Sequence, residues 1–126
     1  MPIDKEPDTT AAPLRRFTDP AYVPLCGDLA QVRENIDRLD RQIVALLAER
    51  GRYVKDAARF KRDAFQVSAP QRQQEVLDKV RALAEAQGAY PEVVDACYRA
   101  MIAGFIAREQ QDHQSMVPMV SVEARS

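Results

Sequence analysis

The 126 residues are 46% apolar and 29% charged, the balance of a soluble globular chain, and their number suits one domain with a modest core. Eighteen basic against nineteen acidic side chains leave a net charge of −1, which excludes the basic footprint of a nucleic-acid binder. Two cysteines, Cys26 and Cys97, and one histidine, His113, exclude a disulfide scaffold and a His/Cys metal cluster, so no metal or cofactor is expected.

Taken in chain order, the first residues, MPIDKEPDTT, have no apolar run of the secretory kind. No later segment approaches the roughly 20 apolar residues that span a bilayer. With both thiols free, the expectation is a cytoplasmic protein with no membrane partner. Pro2, Pro7, Pro13, Pro20 and Pro24 all precede Gly27 without any apolar period, so residues 1–27 are expected to form an extended or disordered arm. Residues 28–113 then read as one all-α domain of three helices, with 114–126 as a flexible tail. There is no strand signal.

The first helix begins after Asp28, a suitable N-cap, and is expected to run to about Arg62. Its stripe is Val32, Ile36, Leu39, Ile43, Leu46, Arg50, Tyr53 and Ala57, in alternating steps of four and three, and Arg50 alone breaks its apolar character. Such a helix is about 50 Å long at ~1.5 Å per residue, whereas a compact chain of this size is about 36 Å across. The excess stripe must be buried on another chain, so an intertwined homodimer with paired long helices is expected. A break at Gly51, giving two shorter helices in a monomer, is the alternative.

The second helix is predicted to start near Pro70, to use Val76, Leu77, Val80, Leu83 and Ala84, and to stop before Gly88. The third starts near Pro91, with Val94, Tyr98, Met101 and Phe105 in line. Glu109 falls where the next apolar residue is due.

The charged seam positions carry the functional question. Arg50 and Lys61, eleven residues apart on one continuous helix, share a face about 16 Å apart, while Arg33 lies about 25 Å from Arg50 and is rotated by about 100°. A partner's antiparallel helix is needed to bring an Arg33 to that site. A guanidinium among apolar neighbours asks for an anion. A buried salt bridge to Glu109 or Glu49 is one answer. Another is a small dicarboxylate, since Arg33, Arg50, Lys61 and Arg72 outnumber the seam acids. Cys97 is expected in the core, Cys26 in the arm, and His113 in solvent.

The run VRENIDRLDRQIVALLAERGRYVKDAARFK, with APQR opening the second helix and FIARE near the end of the third, resembles the all-helical (type II) chorismate mutases. It looks especially like their relatives, the isochorismate pyruvate lyases. The resemblance covers about two thirds of the chain, from Leu29 to Gln111, and cations at Arg33, Arg50 and Lys61 in that order are its most specific part. It implies an intertwined dimer of three-helix chains with two shared sites. Arg50 and the other chain's Arg33 would bind the substrate's carboxylates, Lys61 would reach a carboxylate and the ether oxygen, and Arg72 would support them.

Glu109 matches a position where the bacterial enzymes usually have a glutamine that donates to the ether oxygen; fungal members use glutamate. An ionised glutamate cannot donate, and burial and neighbouring cations pull its charge state in opposite directions. In DAFQVSAP, expected as a linker, carboxylates found in some mutases are absent, and Gln73 stands in for them toward the ring hydroxyl. The implied reaction is the pericyclic conversion of chorismate to prephenate in aromatic amino acid biosynthesis. The alternatives are isochorismate pyruvate lyase activity, giving salicylate and pyruvate, and a non-catalytic helical dimerisation module.

Overall fold

The structure, a computed structural model, describes residues 5–119. Its helices are α1 (Leu29–Ala57), α2 (Ala64–Ser68), α3 (Pro70–Gln87) and α4 (Pro91–Gln114), with a 3-10 turn at Ala58–Phe60. Among the described residues there is no strand, and no helix is long and apolar enough to cross a membrane. The described residues up to Ala48 and from Glu49 onward form two compact units, each containing part of α1.

In the first unit, the segment before α1 is organised by short polar turns. The Asp8 carboxylate accepts from the backbone N–H and the hydroxyl of Thr10, and the Thr9 carbonyl accepts from Ala30 N–H in the first turn of α1. Phe17 and Tyr22 stack with ring centroids 4.6 Å apart. Asp28 caps α1 by accepting from Gln31 N–H at 2.9 Å, and the Gln31 side chain returns to accept from Gly27 N–H. The Gln31 N–H, an orphan donor of the helix start, and the Gly27 N–H just before the cap are thereby both satisfied. Val32, Ile36, Leu39, Ile43 and Leu46 are all solvent-exposed, so this chain leaves the stripe uncovered.

In the second unit α1 passes through Gly51 without a break. A methyl group there would sit 3.0 Å from Phe105 Cε1, so the glycine admits the ring rather than ending the helix. The helix stops earlier than expected. It ends at Ala57, Lys61 N–H bonds to the Ala58 carbonyl across the tight turn, and Lys61 itself is extended (φ −105°, ψ 134°). Arg50 and Lys61 therefore do not share one helical face, which corrects the spacing argument. The stretch expected as a linker holds α2. Asp63 caps it by accepting from Gln66 N–H, while Gln66 Oε1 accepts from Arg62 N–H, so the chain must leave α1 to present Asp63 as a cap.

Ala69 joins α2 to α3 in the left-handed region (φ 45°, ψ 60°), an uncommon place for a residue with a Cβ. Pro70 then occupies the first turn of α3 and Pro91 that of α4, as their fixed φ favours. Gly88 (φ 73°) ends α3, donating to the Glu85 carbonyl while Ala89 N–H reaches Ala84, a Schellman closure. Helix α4 packs against α3, α2 and the 3-10 turn. Ala58, Val67, Leu77, Val80, Ala84 and Ile102 form the buried apolar core. Cys97, expected there, is exposed.

Candidate active site

A pocket of about 320 Å³ opens within the second unit. Val54, Val67, Val76, Ile102 and Ile106 make its apolar wall, and the charged lining is Arg50, Lys61 and Arg72 against Glu109. Three cations facing one carboxylate leave an excess of positive charge. The volume suits one small metabolite, and the charge suits an anionic one.

Each charged group has a different local cause. Arg50 lies one residue before the glycine that admits Phe105, and its guanidinium stacks 5.4 Å from that ring's centroid. Neither Glu109 nor Glu49 pairs with it: among the described residues Arg50 has no ion pair. Glu109 is taken by Lys61, whose Nζ donates to Oε2 at 2.9 Å. The Glu109 side chain is 4% exposed and that of Lys61 23%, so this charge-assisted bond is formed largely out of water. Arg72, in the first turn of α3, is held loosely by Glu75 at 3.8 Å and stays mostly in solvent at the rim. Gln73 Nε2 donates to the Ser68 carbonyl at 2.6 Å, so its amide is fixed against the α2 end of the pocket.

Of the residues singled out from the sequence, Arg50, Lys61, Arg72, Gln73 and Glu109 come together here. Arg33 does not: it is exposed on the first unit's part of α1 and is not among the lining residues. Gln110, the neighbour of Glu109, turns to α2 instead, donating to the Ala64 carbonyl at 2.9 Å and to Ser68 Oγ. His113 corrects another expectation. It is half-buried, with Nε2 2.7 Å from the Lys61 carbonyl. A carbonyl can only accept, so this nitrogen carries the hydrogen. The sequence signal for it was its place one turn after Glu109 on α4. Among the described residues, no group of three or more His, Cys, Asp or Glu side chains is placed to hold a metal ion.

Residues 32–110 match the family described as chorismate mutase type II. The chain is 37% identical over 84 residues to an isochorismate pyruvate lyase of Pseudomonas aeruginosa, an alignment covering 67% of this chain and 83% of that protein. It is 36% identical over 56 residues to a chorismate mutase of Methanocaldococcus jannaschii, covering 44% of this chain and 57% of that one. With its all-helical architecture and a cationic pocket inside the matched region, the chain belongs to the type II chorismate mutase family of enzymes.

Proposed function

We propose that this enzyme converts chorismate to prephenate in a cytoplasmic route to aromatic amino acids, with residues 28–113 as the catalytic domain. The observation that carries the reading is the convergence of Arg50, Lys61 and Arg72 with one buried carboxylate, Glu109, on an apolar pocket of metabolite size. A pericyclic rearrangement needs no nucleophile and no obligatory proton transfer. It needs a flexible dianion held in its compact reactive conformer, and donors where charge grows on the ether oxygen. Arg50 and the Arg33 of a second copy hold carboxylates; Arg72 and Gln73 support the ring end; Lys61 and Glu109 face the ether oxygen. Glu109 donates there only when protonated, and Lys61 leaves its bond to Glu109 to meet the substrate.

The site is shared in this reading. The uncovered α1 stripe supports a homodimer, in which burial of Val32, Ile36, Leu39, Ile43 and Leu46 stabilises the pair at roughly 25 cal/mol per Å² of apolar surface removed from water.

A second reading, cleavage of isochorismate to salicylate and pyruvate, is favoured by the longer of the two matches, which reaches 83% of a lyase. Purified protein given each substrate separately tests both. Prephenate from chorismate is expected, salicylate from isochorismate alone selects the second reading, and turnover of neither sinks both.

A further inference from the structure

We infer that His113 is a positioning residue: it grips the Lys61 backbone so that the Lys61 ammonium is aimed at Glu109 and the pocket. The proposal rests on the catalytic reading of Lys61 but concerns a residue beyond the matched region, which ends at Gln110.

Lys61 does not sit on a rigid helix. It follows the 3-10 turn in extended conformation, and the next residues, Arg62 and Asp63, are exposed. A long side chain on such a segment has many rotamers to lose, and little in its own neighbourhood fixes it. Three bonds do so here. Its N–H donates to the Ala58 carbonyl at 3.2 Å, its carbonyl accepts from His113 Nε2 at 2.7 Å, and its Nζ donates to Glu109 Oε2 at 2.9 Å. The last two come from one face of α4, one turn apart, so a single rigid helix holds both ends of the lysine. When substrate draws the ammonium away from Glu109, the His113 bond is what remains of α4's grip on this residue. Gln110 anchors the following helix separately through the Ala64 carbonyl. Loss of His113 therefore loosens Lys61 without releasing α2.

The experiment compares wild type, His113→Ala and His113→Gln, the glutamine amide nitrogen reaching about where Nε2 lies. Acylation of Lys61 by a small amine-reactive ester is followed by peptide mass, with the exposed Lys5, Lys55 and Lys79 as internal references. The expected result is a relative rate at Lys61 raised about threefold or more in the alanine variant and returned toward wild type in the glutamine variant. Turnover should follow, with kcat down about tenfold and KM changed less. If the alanine variant does not fold, His113→Asn, whose amide is too short to reach, takes its place. Equal Lys61 rates in all variants, or no recovery with glutamine, overturn the proposal. Should the wild type turn over neither substrate, the catalytic reading falls, and the acylation rates still decide what His113 does.

Discussion

Glu109 and Lys61 form an ion pair at 2.9 Å in the pocket, and this sets the cost of using either. An ionised carboxylate only accepts hydrogen bonds, so in the proposed reaction Glu109 donates to the ether oxygen only as the neutral acid, whereas a glutamine amide in its place donates in any case. Under that role Glu109→Gln should retain or raise kcat while Glu109→Ala loses it, measured by steady-state kinetics at one pH; equal losses in both variants contradict the role. Lys61→Ala should raise the barrier by about 2.7–4 kcal/mol, as for other preorganised donors, and Arg72→Ala, at the solvent-exposed rim, by far less. Steady-state kinetics on the two variants compares them directly. Gly51 offers a subtler probe. Alanine there gains ~1 kcal/mol of helix propensity but presses on the Phe105 edge at 3.0 Å, an overpacking that typically costs about 1–3 kcal/mol. Because Phe105 carries the Arg50 guanidinium, Gly51→Ala should reduce kcat/KM while the melting temperature moves little.

At the scale of elements, α3 and α4 are fastened by a charged clamp beside their apolar contact. Asp95 Oδ2 accepts from Arg99 Nε at 2.7 Å, and Oδ1, buried without a hydrogen bond, lies 3.4 Å from Arg81 on α3. The Arg99 hydrogen bond above all, with the charges of Arg99 and Arg81, holds the Asp95 carboxyl below the ordinary carboxylate range, against an opposing effect of burial. A depressed value means stability that is fully present above the unfolded value, roughly pH 4, and is lost as pH falls through the folded one. Asp95→Asn should therefore melt at a lower temperature than wild type at pH 7, with the gap closing as the pH is taken to about 3. A gap that persists on acidification argues against the clamp. Helix boundaries set by one residue's chemistry, Pro70, Gly88 and Pro91, were legible in the sequence. The end of α1 was not, because it depends on burying Ala58 and Val67 against α4, far along the chain. Even so, the spacing of Asp63 and Gln66 is a capping signal that marks α2. Glu109 was found from its seam position. The conformation of Lys61 and the bond from His113 were not, since both are contacts across some fifty residues of sequence.

The whole molecule poses the question of Arg33. The α1 stripe around it is apolar and uncovered, and the pocket's own cations lie in the second unit of the chain. If two copies pair through α1, each pocket draws Arg50 and Lys61 from one chain and Arg33 from the other. Complementation tests that arrangement. Arg33→Ala and Arg50→Ala homodimers should each be nearly inactive, since every site in either lacks one carboxylate ligand. Mixed after gentle dissociation, half the dimers become hybrids, and in each hybrid one site carries both substitutions while the other carries neither. The mixture should regain about a quarter of wild-type activity, with wild-type KM for the restored sites. A mixture as inactive as its parents, at concentrations where subunit exchange is verified by mass, would mean that Arg33 does not reach a partner's pocket.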